Sequence, residues 1–225
     1  MTAIDRLFNR IAPVYDRLND QLSLGSHRVW KKIALNLADP QLGGIWLDVC
    51  CGSGDMAGLL AQRVGAGGRV YGLDFAQGLL DIARRKFSPS LPITWLYGSA
   101  LDLPFANASL DGCTLAYGLR NVGDVDRCLR EIYRVLQPNG TAVVLDFHLP
   151  YNPLLCQFQE FYLNNVVVPI ASQYDLGDEY AYILPSVRRF PQGRQQEQLG
   201  QAIGFRYTYH HPIAGGMMGI LLLRK

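Results

Sequence analysis

The sequence predicts an α/β fold with a doubly wound, mostly parallel sheet and an antiparallel edge. Strand-like and helical patterns alternate from residue 45 onward, a Gly-x-Gly turn follows the first strand-like run, and two more strand-like runs end the chain. The 225 residues are 49% hydrophobic, enough for a single packed domain over 1–225. We expect a helical cap at 1–40, a ligand-binding core at 45–150, and further helices with edge strands at 151–225.

Two helical patterns precede the first strand, at 5–19 and 26–38, and form the predicted N-terminal cap. Five strand patterns follow, at 45–50, 69–74, 93–97, 111–116 and 141–147. Helices are predicted between them at 56–64, 76–87 and 124–136, with Asp124 capping the last. The tripeptide Pro138-Asn139-Gly140 predicts a turn before the fifth strand.

The last third of the chain departs from this alternation. An apolar, aromatic stretch at 153–174, PLLCQFQEFYLNNVVVPIASQY, is interrupted by Pro169. We interpret it as a helix packed on the sheet, and a mobile wall over an apolar substrate is the alternative. A polar helix is predicted at 193–203, and the runs 206–210 and 218–223 predict an antiparallel edge pair.

The stretch IWLDVCCGSGD at 45–55 is the candidate ligand-binding turn. Gly52 and Gly54 let a ligand approach the backbone, because no Cβ stands in the way. Asp74 ends the next apolar run about 20 residues on, the spacing expected of an acid that binds ribose hydroxyls. A tight strand-to-helix turn, in which Asp55 only interacts with the helix dipole, is the alternative.

The acids beside this turn favour a cationic ligand over a dinucleotide. GSGDMA also fits the dinucleotide fingerprint, but its pyrophosphate would lie close to Asp48 and Asp55. Like charges near 4 Å repel by about 4 kcal/mol at an effective dielectric near 20. S-adenosylmethionine carries a sulfonium and an ammonium and no phosphate. We therefore predict S-adenosylmethionine as the cofactor, with NAD as the alternative.

The strand ends supply further candidate site residues. Ligands of doubly wound sheets bind outside the carboxyl ends of the strands, so Asp48, Asp74, Ser99, Tyr117 and His148 are expected to converge on one crevice. His148 is a candidate catalytic base, since imidazole titrates near neutral pH. A surface or capping histidine is the alternative, and the other histidines are weaker candidates.

Charge and cysteine usage argue against several partners. The formal charge is +2 without a dense Lys/Arg run, so no nucleic acid partner is predicted. The five cysteines form neither a metal-ligand pattern nor a C-x-x-C motif, so we predict no metal site and a reduced, cytoplasmic setting. No apolar stretch approaches the length of a membrane span. We expect a soluble protein with at most peripheral contact to a membrane surface.

Three segments resemble the UbiE/MenG family: LDVCCGSGD, YDRLNDQLSLGSHRVWKK at 15–32, and YGLRNVGDVDRCLREIYRVLQPNG at 117–140. These proteins are S-adenosylmethionine-dependent C-methyltransferases of quinone biosynthesis with a Rossmann-like class I fold. The segments CCGSGD, GLDF, NNVVVPIASQYDL and IAGGMMG resemble the plant and cyanobacterial branch. That branch methylates demethylphylloquinone, a 2-phytyl-1,4-naphthoquinone, in phylloquinone (vitamin K1) biosynthesis.

The resemblance implies roles for cofactor-binding residues. Gly52, Ser53 and Gly54 would face the methionine part of S-adenosylmethionine, and Asp74 would hold the ribose. Ser99 and Ala100 would lie beside the adenine. Many family members have Asp or Asn in place of Ser99, which favours a backbone contact at this position.

The resemblance also implies the catalytic residues: Arg120 and Asn121, with Tyr15 closing the crevice. A quinol ring carbon attacks the methyl group once the neighbouring phenol loses its proton. Arginine stays protonated, so Arg120 would polarise a water or stabilise the phenolate. Alternatively, Arg120 pairs structurally with an acid such as Asp16 or Asp111. Tyr117 could stack on the naphthalene ring or belong to the core.

Several functional alternatives stay open at this point. The substrate could instead be demethylmenaquinone or a ubiquinone- or plastoquinone-type precursor. A small-molecule N- or O-methyltransferase would share the cofactor residues, and a non-catalytic binding module would keep the fold. For a prenylated naphthoquinol substrate, the stretch 154–170 is the expected membrane contact. The sequence does not exclude a homodimer.

Overall fold

A computed structural model describes residues 3–225, with side chains from residue 6 onward. Its centre is a seven-stranded sheet of order β3-β2-β1-β4-β5-β7-β6. The strands are β1 Ile45–Val49, β2 Arg69–Asp74, β3 Ile93–Tyr97, β4 Leu110–Ala116, β5 Leu136–Phe147, β6 Tyr207–Ile213 and β7 Met218–Arg224. The first five pair in parallel, whereas β7 is antiparallel to both β5 and β6. The predicted fold class, a mostly parallel sheet with an antiparallel edge, is confirmed.

Helices surround the sheet and build the N-terminal cap. Before the sheet lie α1 Ala3–Ile11, α2 Tyr15–Ser23 and α3 Ser26–Ala38. Between strands lie α4 Asp55–Val64, α5 Gln77–Lys86 and α6 Val125–Val135. After β5 come α7 Pro153–Tyr162, α8 Val168–Ser172, α9 Gly177–Ala181, α10 Ile183–Arg189 and α11 Arg194–Ile203. Within residues 3–225, none of the helices combines the length and the apolar character needed to cross a bilayer.

Consecutive strand residues point to opposite sides of the sheet. Helices cover both sides, so the central strands are buried on both faces. Ile220 and Leu222 of β7 pack with α3 and α4, whereas Leu221 and Leu223 join the cluster formed with α6. Strand β1 lies between β2 and β4, so the connections leave it in opposite directions. This switch point opens a crevice beyond the carboxyl ends of β1 and β4.

We predicted one continuous helix over 5–19, but the structure divides this segment into two helices. α1 ends at Ile11, a single 3₁₀ turn covers Ala12–Val14, and α2 begins at Tyr15. Pro13 in that turn explains the break, because proline has no N–H and its ring clashes with the preceding helical turn. The break places Tyr15 at the start of α2.

Two predicted boundaries near the antiparallel edge are wrong. The tripeptide at 138–140 lies within β5, which begins at Leu136; Asn139 has φ 68° and donates its N–H to Lys225 O. Leu136 pairs with Leu110 and Thr141 pairs with Gly112, so the tripeptide forms an irregular bulge inside the strand and not a turn before it. β6 extends to Ile213 rather than ending at residue 210, because Ile213 pairs with Met218 at the tip of the hairpin.

The aromatic stretch at 153–174 does not pack on the sheet, contrary to the interpretation that we favoured. α7 continues through a π-helical turn, Leu163–Val167, into α8, and Pro169 is accommodated in the first turn of α8. The buried side chains of Leu163 and Val167 belong to a separate cluster with Ile11 and Leu18 of the cap. The stretch thus packs beside the cap, and the mobile wall over an apolar substrate stays a prediction.

Candidate active site

The glycine turn joins β1 to α4 through a series of left-handed residues. Cys50, Gly52 and Gly54 have φ values of 54°, 55° and 87°. A Cβ on Gly54 would lie 2.4 Å from the Trp95 ring, so close packing requires glycine there, apart from any ligand. A Cβ on Gly52 would lie 3.5 Å from Tyr15 Cε1, which shows that the Tyr15 ring covers the turn.

Two buried carboxylates hold the turn in place. Asp48 Oδ1 accepts a hydrogen bond from Thr114 Oγ1 at 2.8 Å, and its Oδ2 accepts one from the Ala57 N–H at 3.1 Å. Burial raises the pKa of Asp48 to about 7. Asp74 accepts hydrogen bonds from the N–H groups of Gly52 and Ala76, both at 2.8 Å. Both acids therefore brace the backbone around the crevice.

Ion pairs join the cap to the turn. Lys31 of α3 donates to Asp55 Oδ2 at 2.7 Å, and Lys86 at the end of α5 donates to both Asp55 and Asp16. Ser53 Oγ in turn donates to Asp16. Burial raises the pKa of Asp55, but the two lysines outweigh this effect and lower it below its ordinary value. Asp55 is thus already paired, and sequence reasoning missed both lysines.

A narrow crevice lies beside the turn, under the cap. Lys31 and Tyr15 line it from the cap, and the Tyr117 ring lines it from the end of β4. Burial raises the pKa of Tyr15 to about 12, so this phenol stays protonated at neutral pH. The remaining lining residues are Asp48, Cys50, Cys51, Ser53, Asp55, Met56 and Ala116.

The loop after β4 holds Tyr117 in a conformation that is rare for a residue with a side chain. Tyr117 has φ 62°, and its carbonyl accepts hydrogen bonds from Arg120 Nη1 at 2.7 Å and Asn121 Nδ2 at 3.2 Å. Its ring lies 5.9 Å from that of Phe147, and its buried hydroxyl has no partner among the described residues. Arg120 and Asn121 therefore support the Tyr117 loop directly.

Arg120 forms a buried ion pair, but not with either acid named from the sequence. Its Nη1 lies 2.6 Å from Asp146 Oδ1, and its backbone N–H donates to Asp146 Oδ2 at 3.1 Å. Asp16 and Asp111 bond elsewhere. The guanidinium lies 4.9 Å from the centre of the Phe147 ring, and its buried Nε has no hydrogen-bond partner among the described residues. The side chain of Arg120 is therefore held through Nη1, whereas Nε and Nη2 make no hydrogen bond to the described residues.

A large apolar cavity adjoins the crevice, with a volume of about 440 Å³. Arg120 and Asn121 lie in its wall, and Tyr15 and Tyr117 line both the cavity and the crevice. The two tyrosine rings therefore form the boundary between the two spaces. The apolar wall comes mainly from the cap, α7 and the helices after it, and includes Leu7, Phe8, Ile11, Trp30, Phe147, Phe158, Tyr162, Leu163, Val167, Tyr180, Ile183, Met217 and Met218.

The other predicted site residues lie outside these two spaces. His148 is buried, with its Nε2 2.9 Å from that of His210 and its Nδ1 3.2 Å from Asp146 O. Burial lowers the pKa of His148, and its ring lines neither space, so the placement does not support a role as base. Ser99 is exposed at the end of β3 and Ala100 is buried in the core, at the same sheet edge as Asp74.

The chain is similar over nearly its whole length to one protein family and to named proteins. The profile of the ubiE/COQ5 methyltransferase family matches residues 1–224. A Nostoc punctiforme protein named 2-phytyl-1,4-naphtoquinone methyltransferase is 50% identical over 99% of this chain and 98% of its own length. An Arabidopsis thaliana protein named 2-phytyl-1,4-beta-naphthoquinone methyltransferase, chloroplastic, is 44% identical over 97% of this chain and 86% of its own length.

Solved structures share the fold at low sequence identity. An S-adenosylmethionine-dependent methyltransferase from Aquifex aeolicus superposes with a TM-score of 0.62 at 16% identity, covering 86% of this chain and 88% of its own. A structure from Thermotoga maritima, described as an S-adenosylmethionine-dependent methyltransferase, gives a TM-score of 0.67 at 18% identity, covering 98% and 99%. These matches support the methyltransferase fold.

Proposed function

Because this chain belongs to the ubiE/COQ5 methyltransferase family, we propose that it transfers a methyl group to a ring carbon of 2-phytyl-1,4-naphthoquinol. The chain is an S-adenosylmethionine-dependent methyltransferase. The substrate is proposed from the names of relatives at 44–50% identity over nearly the full chain. One structural observation carries the proposal: an apolar cavity meets a charged crevice at Tyr15 and Tyr117, with Arg120 in the cavity wall.

The residues that line the crevice suit S-adenosylmethionine, which supplies a methyl group on a positively charged sulfur. The crevice itself measures about 10 Å³ and has to widen to admit the cofactor. Asp48 and Ser53 lie in the lining, Asp48 as a potential anion. Gly52 and Gly54 flank Ser53 in the turn, and we propose that the three residues face the methionine part. Asp74, braced by two backbone N–H groups, would hold the ribose hydroxyls. Backbone and side chain at Ser99 and Ala100 would lie beside the adenine. The Tyr15 ring would close the crevice over the glycine turn.

The cavity suits a hydrophobic aromatic substrate with a long tail. Aromatic and aliphatic side chains dominate its wall, and the polar side chains of Arg120 and Asn121 lie at the end of β4. Binding sites of this kind bury an apolar ligand and orient it through a few polar groups. We propose that the phytyl tail lies between α7 and the cap, with the naphthalene ring beside Tyr117.

Arg120 has the chemistry needed to promote the reaction. Attack by the ring carbon requires negative charge on the neighbouring oxygen, and a guanidinium in a low-dielectric site stabilises such charge. Nη1 is committed to Asp146 and to the Tyr117 carbonyl, and Nε is buried away from the cavity surface. Nη2 makes no hydrogen bond among the described residues, and we propose that it donates to the substrate oxygen. Asn121 would hold the loop that positions Arg120.

We propose a membrane surface as the place where the enzyme meets its substrate. Tyr151, Leu154, Phe158 and Phe161 lie along one face of α7 and the loop before it, each 53–81% exposed. Phe158 also lines the cavity, as does exposed Leu24 of the cap, so the apolar surface continues into the cavity. An apolar surface of this kind inserts shallowly into a bilayer, where a phytyl chain resides. The setting would be cytoplasmic and peripheral.

The decisive experiment compares the quinone with its quinol. Purified protein with S-adenosylmethionine should methylate 2-phytyl-1,4-naphthoquinone only when dithionite or a quinone reductase is present, because an oxidised ring carbon is electron-poor. Product analysis by NMR should place the new methyl group on ring carbon. Equal rates without reductant would contradict the quinol mechanism, and methylation at oxygen would contradict the proposed function.

A further inference from the structure

We propose that Lys31 is the counter-ion for the carboxylate of the methionine end of S-adenosylmethionine. This inference rests on the proposed use of the cofactor in the crevice, and it adds a binding residue that the motif analysis did not name. Lys31 lies on α3 of the cap, far in sequence from the glycine turn, and only the fold brings it to the site.

The position of Lys31 is unusual for a lysine. Its side chain is only 8% exposed, although lysines are almost never buried unless they are paired. Its Nζ lies 2.7 Å from Asp55 Oδ2 and 5.8 Å from the centre of the Tyr117 ring, which marks the boundary with the substrate cavity. An ammonium group carries three N–H donors, so the bond to Asp55 leaves capacity for a second acceptor.

Charge in the crevice points to the same role. Among the described residues that line it, Lys31 is the one cation, whereas Asp48 and Asp55 are both acids. S-adenosylmethionine has a sulfonium and an ammonium, which suit the acids, and a carboxylate, for which the acids offer no favourable partner. The carboxylate therefore needs a cation, and Lys31 is positioned to provide it.

Asp55 does not depend on Lys31 alone. Lys86 Nζ lies 2.5 Å from Asp55 Oδ1, so this carboxylate keeps a partner when Lys31 also bonds a ligand. Lys31 and Asp55 together line a second cavity of about 420 Å³, whose other charged residues are Asp16, Asp20, Arg28, Lys32 and Lys86. The crevice is thus flanked by a charged cavity at Lys31 and by an apolar cavity at Tyr117. This polarity would orient the cofactor, with its charged end toward Lys31 and its methyl group toward the substrate.

Calorimetry with two ligands tests the inference directly. S-adenosylmethionine and decarboxylated S-adenosylmethionine differ only in the carboxylate, and both keep the sulfonium and the amine. The wild-type protein should bind the complete cofactor roughly 10- to 100-fold more tightly, the range for a charged hydrogen bond. Lys31→Met should lose most of that preference, because affinity for the cofactor falls while affinity for the decarboxylated compound does not.

Two variants separate binding from folding. Lys31→Arg keeps the charge and should retain most of the preference. Arg85→Met removes an exposed cation of α5 that lines neither the crevice nor the two cavities, and it should leave both affinities unchanged. Thermal unfolding of each variant shows whether the cap is intact.

A parallel loss of affinity for both ligands in Lys31→Met would make Lys31 purely structural and overturn the inference. An unchanged preference in that variant would overturn it as well. Failure of the wild-type protein to bind S-adenosylmethionine at all would instead contradict the proposed function.

Discussion

Arg120 and Asp146 form a buried ion pair across the end of the sheet, with 2.6 Å between Nη1 and Oδ1. Asp146 Oδ2 also accepts the backbone N–H of Arg120, so one carboxylate orients both the side chain and the loop that carries it. Breaking a buried pair by removing one partner typically costs about 3–5 kcal/mol, because a lone charge is left behind. The pair therefore has a structural role in addition to the proposed catalytic role of Arg120.

We expect Arg120→Ala to lower both turnover and stability, since it leaves Asp146 unpaired. The double variant Arg120→Gln with Asp146→Asn removes both charges and should regain most of the stability. The kcat of the double variant should stay low, because the lost charge of Arg120 stabilises the transition state. Its affinity for the cofactor should be nearly normal. Thermal unfolding, calorimetry and steady-state kinetics measure the three quantities. Wild-type turnover in the double variant would reduce Arg120 to a structural residue.

Asp74→Ala should weaken binding of S-adenosylmethionine by about 1.5–3 kcal/mol, the value of a charged acceptor for the ribose hydroxyls. Calorimetry with the cofactor and with its 2′-deoxyribose analogue separates this effect from loss of the bonds to Gly52 and Ala76. The wild-type protein should prefer the complete ribose and the variant should not. If the preference survives in the variant, Asp74 only braces the turn.

Asp48→Asn should change the pH dependence of stability. Burial raises the pKa of Asp48 to about 7, so the folded protein holds a proton that the unfolded chain releases near pH 4. This group therefore contributes stability below about pH 4 that is lost as pH rises toward 7, by at most about 1.4 kcal/mol per pH unit. The variant cannot ionise at this position. It should gain stability relative to wild type between pH 4 and 7, as measured by urea unfolding.

Asp55→Asn is the matched control for that measurement. Its pairing with Lys31 and Lys86 lowers the pKa of Asp55, so its stabilising contribution is present at neutral pH and lost only as pH falls below the ordinary range of a carboxyl. The stability difference between this variant and wild type should be constant from pH 5 to 7. A constant difference for Asp48→Asn as well would show that Asp48 does not titrate in this range.

The double variant Phe158→Ser with Phe161→Ser should weaken binding to liposomes. These exposed rings lie on the face of α7 that continues into the cavity, and burial of apolar area drives interfacial binding. Flotation should show weak, reversible binding of wild type that falls in the variant. Leu42→Ser is the control, because Leu42 is more exposed than either ring but precedes β1 at the opposite edge of the sheet. Equal loss in both variants, or no flotation of wild type with any lipid, would contradict a specific membrane surface.

Local patterns in the sequence were sufficient for the alternating core. Strands β2 and β3 agree with their predicted limits, and the glycine turn after β1 lies where the apolar run ended. These features depend on neighbours within a few residues, on apolar periodicity, and on glycine's access to positive φ. Asp124 likewise caps α6, with its side chain accepting the Arg127 N–H at 2.9 Å.

By itself, the sequence therefore determined the α/β core, the glycine turn, and the acids Asp48 and Asp74 around it. Only the tertiary structure decided the charge partners, because Arg120 meets Asp146 across 26 residues and Lys31 meets Asp55 across 24. Such pairings follow from the order of the strands and the position of the cap, which no local spacing specifies. The position of His148 after the fifth strand was predicted from the sequence. The direction of its ring depends on tertiary packing, which places it against His210 and outside the lining of the cavity.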